Sequence, residues 1–171
     1  MVNSIISVLK LFFLVGKTLV TSDNIYHESN DPMMCMTANN YFEAKGDGLS
    51  SMAGVTNNVY KRIKSPYYPN TVCEVVHQSK GGTCMYSWWC DGKLDIIDLS
   101  KPADRHAFIQ AALVASAFLE SEEPPELGMG DVLLYHSINV YPSWAKSNLT
   151  MYVGKMGSHL FYLESRSVAL R

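Results

Sequence analysis

The chain has 171 residues, enough for one domain, and 47% of them are apolar while 18% are charged. That composition supports a buried core and argues against a disordered chain; a formal net charge of -2 argues against nucleic acid as the main partner. The four cysteines, Cys35, Cys73, Cys84 and Cys90, lack paired CxxC spacing, which argues against a structural zinc site. They read instead as two disulfides in an exported protein, with three pairings open.

The stretch from Ile5 to Val20 is mostly apolar, and Val20-Thr21-Ser22 offers small residues for a signal peptidase. Lys10 and Lys17 interrupt it, and its apolar runs are short for a membrane span. Residues 1–22 are therefore expected to be an export signal or weak anchor, and residues 23–32, polar and ending in Asp31-Pro32, a linker. Residues 33–171 would form the single working domain.

Within it, Met33 to Lys45 reads as a helix ending at Gly46. Ser50 to Lys64 reads as a second, because Met52, Val55, Val59 and Ile63 recur at helical steps before Ser65-Pro66 stops it. A tyrosine-bearing turn over Pro66 to Asn70 leads to a short helix or turn around Val72 to His77. Gly81-Gly82 then opens a loop holding Cys84 and Cys90. The longest helix spans Ala103 to Leu119, with Ser100 as cap, Pro102 in the first turn, and Phe108, Ala112, Ala115 and Leu119 on its buried face. Beyond it the period changes. Val132 to His136, Leu149 to Val153 and Ser158 to Leu163 read as strands, with a hairpin turn over Gly154 to Gly157. Helices first and strands last predict an α+β domain.

Three segments concentrate chemistry. Glu43 sits among aromatic and small residues in Tyr41-Phe42-Glu43-Ala44-Lys45-Gly46-Asp47-Gly48. Such surroundings raise a carboxyl pKa and suit a general acid, although an acid near a helix end is by default solvated. The second segment is Cys84-Met85-Tyr86-Ser87-Trp88-Trp89-Cys90-Asp91-Gly92. The third runs from Tyr135-His136 through Tyr141-Pro142-Ser143-Trp144-Ala145 to Gly157-Ser158-His159-Leu160-Phe161-Tyr162.

In this order the segments resemble the SleB-type cell wall hydrolases, the spore-cortex-lytic family. Tyr41 to Asp47 is similar to the family's Tyr-x-Glu-Ala-Arg-Gly-Glu opening, with Lys45 for Arg and Asp47 for Glu. Val59, Arg62 and Ile63 match a Val-x-Asn-Arg-Val pattern that here has Lys61 for Asn. Pro69 to Cys73, Val75 to Gln78, Tyr86 to Gly92, Pro142 to Ala145 and Gly157 to Tyr162 complete the set. The resemblance covers about Cys35 to Tyr162.

It implies a lysozyme-like fold, N-terminal helices with a small antiparallel sheet, that cleaves peptidoglycan glycan strands between N-acetylmuramic acid and N-acetylglucosamine. Glu43 would be the general acid, in a lytic transglycosylase or a muramidase. No cofactor is implied. Such a protein would be an exported monomer of the periplasm or cell wall, or of a host wall if phage-encoded. It would meet the membrane only through its N-terminus.

Asp47 is the candidate second acid. On a continuous helix it would lie about 5–6 Å from Glu43 at Cβ, but Gly46 and Gly48 favour a capping or solvated role. Ser87 is expected to line the cleft, Trp88 and Trp89 to offer a ring to sugar, Tyr135 and Trp144 to wall the far side, and His159 to orient polar groups near Glu43.

Other chemistries fit less well. A zinc amidase needs ligands at usable spacing, yet His77, His106, His136 and His159 are scattered. A cysteine endopeptidase needs a free thiolate. A catalytically inactive peptidoglycan-binding module is the alternative that the substitutions at Lys45, Asp47 and Lys61 allow, and retention of Glu43 argues against it.

Overall fold

Helix α1, Pro32–Ala44, is the axis of the molecule. Our computed structural model describes residues 24–26 and 30–165; the expected export signal over residues 1–22 lies outside them. Asp31 caps α1 by accepting the Met34 N–H at 2.9 Å, and Pro32 occupies the first turn, where its missing N–H costs nothing.

The helix is buried nearly all round, so its polar side chains must find partners inside. Asn40 donates to the Ala111 carbonyl at 3.3 Å and accepts from Thr56 Oγ1 at 2.8 Å. Those two bonds tie α1 to α2, Gly48–Lys64, and to α4, Pro102–Leu119. Asn39 accepts from Trp88 Nε1 at 2.9 Å. The apolar residues Met36, Met52, Val55, Val59, Phe108 and Ala111 fill the spaces between the three helices, each full burial contributing about 1.5–3 kcal/mol for the larger side chains.

Between α1 and α2 the chain must turn sharply. Gly48 has φ +77°, a conformation that other residues adopt only with strain, and it starts α2 in a new direction. After α2 a short helix α3, Val72–Val76, returns the chain so that Cys73 meets Cys35, with the Cα atoms 5.3 Å apart. The second disulfide joins Cys84 and Cys90, with Cα atoms 5.8 Å apart.

Among the described residues, three small sheets complete the fold. Strand β1, Asn24–Tyr26, pairs antiparallel with β4, Ile96–Asp98. The segment expected to be a linker therefore contains a strand, because a distant partner supplies its ladder. Ser79–Lys80 (β2) and Thr83–Cys84 (β3) form a hairpin across Gly81-Gly82. The C-terminal sheet has the order β5-β7-β6, from Leu134–Ser137 (β5), Thr150–Met156 (β6) and His159–Glu164 (β7), all antiparallel.

Two local expectations change. The hairpin between β6 and β7 turns at Gly157-Ser158, and Gly154 lies within β6 at a register shift after Tyr152. A glycine inside a strand marked a bulge there, not the turn. Lys101, not Ser100, is the N-cap of α4, since Ser100 bonds to Asp98 instead.

The sheet approaches α2 closely. A Cβ on Gly54 would fall 2.5 Å from Cζ of Phe161 on β7, so glycine is what lets helix and strand meet. Tyr135 on β5 packs against all three apolar clusters of the core and stands where the helical layer meets the sheet. A cleft opens at that junction.

Candidate active site

Glu43 belongs to the last turn of α1, and its half-buried side chain lines a cleft of about 490 Å³. The opposite wall brings β5 across 92 positions of sequence, and the Tyr135 hydroxyl donates to Glu43 Oε2 at 2.8 Å. Burial raises the Glu43 pKa above the ordinary carboxyl range; the Tyr135 hydrogen bond and the nearby Arg62 charge pull it partly back. Burial, together with the negative charge of Glu43, pushes Tyr135 well up, so its phenol remains a donor. The arrangement therefore holds a carboxyl that keeps its proton to higher pH than an exposed one, with one oxygen fixed by Tyr135.

Arg62 stands behind this pair. It is on the buried face of α2 and only 4% exposed. Its Nε donates to the Leu133 carbonyl at 2.9 Å, and its guanidinium lies 5.0 Å from the Tyr68 ring and 5.2 Å from that of Tyr86. Burial pushes Tyr86 up to about 12, and its hydroxyl donates to Asn58 Oδ1 at 3.0 Å.

Asp47 lines the same cleft from a separate element. Helix α1 ends at Ala44, and Asp47 is the residue before α2, so the two acids do not share a helix. Its carboxylate accepts from Ser158 Oγ and lies 3.9 Å from His159 Nδ1. The same nitrogen lies 2.6 Å from Ser51 Oγ. Burial lowers the His159 pKa, with Asp47 opposing that shift. The His159 ring meets Tyr135 edge-on at 5.1 Å, linking the Asp47 group to the Glu43 group.

Other expected residues divide. Ser87 is exposed in the cleft wall, at the start of the 3-10 turn Ser87–Cys90. Trp88 reaches the cleft but is 6% exposed, stacked 4.7 Å from Phe42 and bonded to Asn39. Trp89 stacks on His77 at 3.8 Å, outside the cleft lining. Trp144 packs against His136 and Tyr162 at 5.5 and 5.4 Å, also outside it. All four cysteines are in disulfides, which leaves no thiolate for a cysteine peptidase.

Arg62, Asp91 and His136 also line the cleft; they lie in the motifs read from the sequence, but no role in the site was expected of them. For Arg62 a signal existed. It follows Val55 and Val59 on the apolar stripe of its helix, where an arginine is rarely buried without a partner.

The fold and cleft define an α+β domain built around a candidate acid–base carboxyl. The chain belongs to the cell wall hydrolase family, which it matches over residues 46–162. Glu43 lies just before the matched span. No curated protein matches the chain. Similar solved structures include the catalytic domain of the Bacillus cereus SleB protein, at 20% identity and a TM-score of 0.52, covering 80% of this chain and 91% of that one. Another is the catalytic domain of the germination-specific lytic transglycosylase SleB from Bacillus anthracis, at 17% identity and a TM-score of 0.47, covering 80% and 98%. The first likeness identifies the fold as the lysozyme-like α+β fold. Family membership makes the protein an enzyme of peptidoglycan lysis that works outside the cytoplasm. Among the described residues no helix is long and apolar enough to cross a membrane.

Proposed function

We propose that the protein cleaves the glycan strand of peptidoglycan between N-acetylmuramic acid and N-acetylglucosamine, with Glu43 as general acid and then general base. The observation that carries this reading is the half-buried Glu43 carboxyl, raised by burial and bonded to Tyr135 at 2.8 Å in an open cleft.

Glu43 gives its proton to the glycosidic oxygen as the bond from that oxygen to the muramoyl C1 breaks, and positive charge develops on the ring. The leaving sugar departs with a new hydroxyl. Glu43, now a carboxylate, takes the proton of the muramoyl C6 hydroxyl while that oxygen bonds C1, closing a 1,6-anhydro ring. One carboxyl serves both steps. Tyr135 holds Oε2, which directs the mobile proton to Oε1. Ser87 and Trp88, on the wall formed by the disulfide loop, contact the sugar, and Ser158 holds Asp47 on the cleft's far side, beside His159.

A second reading is hydrolysis, favoured by the presence of Asp47 in the same cleft. Asp47 would then steer or activate water at C1. Mass spectrometry of purified peptidoglycan after digestion separates the two. Anhydro-muramoyl ends are expected; reducing muramoyl ends would assign hydrolysis, and cut peptide stems with intact glycan would overturn both.

A further inference from the structure

Arg62 carries a buried charge whose bonding capacity the fold leaves partly unused. It is 4% exposed, lines the cleft, and spends Nε on the Leu133 carbonyl at 2.9 Å. Its Nη1 is buried without a hydrogen-bond partner. Among the described residues Arg62 makes no ion pair within 4.0 Å. A buried cation costs several kcal/mol unless an anion or well-placed acceptors compensate it, and an arginine does not escape that cost by losing its proton. Three carboxyls share its cleft, Glu43, Asp47 and Asp91, and of these Glu43 is the buried one that feels its charge.

We propose that Arg62 is a positioning residue for the acid–base cycle: its fixed buried charge stabilises the Glu43 carboxylate that exists between the two proton transfers. This rests on the reading of Glu43 given above. The two half-reactions make opposite demands on one group. Donation needs a protonated carboxyl, which an apolar site favours. The carboxylate that follows must survive in the same desolvated position long enough to accept a proton from the C6 hydroxyl rather than reclaim the one it gave. Tyr135 supplies one donor to that anion. Arg62 supplies a permanent cation, clamped between two tyrosine rings and a backbone carbonyl, so nothing has to reorganise when the charge forms. A purely structural Arg62, one that only anchors the chain before β5 through Leu133, would predict no coupling to Glu43.

Other titratable groups also face Glu43. Asp47 comes from the start of α2, Tyr86 and Asp91 from the disulfide loop, Tyr135 and His136 from β5, and His159 from β7. The test must leave all of these in place. In the unaltered protein, the guanidinium ¹⁵N resonances of Arg62 are followed against pH beside the ¹³C carboxyl resonance of Glu43. We expect an inflection common to both, absent from Arg62 in Glu43→Gln. In Arg62→Met the Glu43 titration and the alkaline limb of activity both move to higher pH, and turnover falls roughly 10²-fold. Arg62→Lys, which keeps the charge, recovers most of that loss. An Arg62 signal with no inflection would overturn the proposal, as would a folded Arg62→Met whose Glu43 titration is unmoved. If Arg62→Met does not fold, the comparison of the unaltered protein with Glu43→Gln decides alone. Full turnover in Glu43→Gln would sink the acid–base reading instead, since the resonances report the coupling without any turnover.

Discussion

Glu43 and Tyr135 share a hydrogen bond whose consequences can be read from pH. The phenol favours the carboxylate, so Tyr135→Phe raises the Glu43 pKa further. The alkaline limb of kcat/KM should move to higher pH, with turnover reduced roughly ten- to a hundred-fold, as expected for a lost hydrogen bond to a charged group. A pH–rate profile that does not move would detach Tyr135 from the proton transfer. Stability carries a second signature. The folded state raises the Glu43 pKa, so the stability tied to its protonated form is complete below the unfolded value of about 4.3 and is lost as pH rises through the raised folded value. Glutamine has no proton to lose. Thermal melts should therefore show Glu43→Gln level with the unaltered protein in acid and more stable than it at about pH 8. Equal melting temperatures at both pH values would mean that burial does not perturb Glu43. At this scale the sequence indicated which acid to watch, from its aromatic surroundings, but not its partner. Tyr135 is 92 positions away, and no local spacing joins the two.

The two disulfides belong to different elements and should fail differently. Cys35–Cys73 ties α1 to α3 across 38 positions, and by chain entropy its removal costs about 4 kcal/mol. Cys84–Cys90 closes a span of 6 positions that builds one wall of the cleft with Met85, Ser87 and Trp88. Replacing both of its cysteines by serine should cost about 2 kcal/mol and act mainly on substrate binding, raising KM more than it lowers the melting temperature. A large melting shift with unchanged KM would contradict that division. The close approach of α2 to β7 is testable too. Gly54→Ala inserts a methyl against Phe161 and should destabilise by about 1–3 kcal/mol, read by denaturant unfolding. The helices were legible because their apolar steps, prolines and glycine stops are local. The cysteine pairing was not, since three pairings satisfy the same sequence. Asn24–Tyr26 looked like linker because its strand exists only through Ile96–Asp98.

Across the whole molecule, an ordered set of short motifs carried the family and the α+β order, and the cleft forms where those motifs converge. Glu43 arrives at the end of one helix, Arg62 on the buried stripe of the next, the disulfide loop on one side, and Tyr135 with His159 from the sheet. Trp89 and Trp144 show how the placement of a ring depends on distant elements. Both are partly buried, Trp89 against His77 and Trp144 against His136 and Tyr162, outside the cleft lining. Only the packing of distant elements decides which ring faces substrate. The account depends above all on Glu43 as the proton carrier. The most direct test is the turnover of purified peptidoglycan by Glu43→Gln beside the unaltered protein, with circular dichroism to confirm that both are folded. A folded variant whose turnover falls by several orders of magnitude is the predicted result, and one that keeps unaltered turnover would contradict the account.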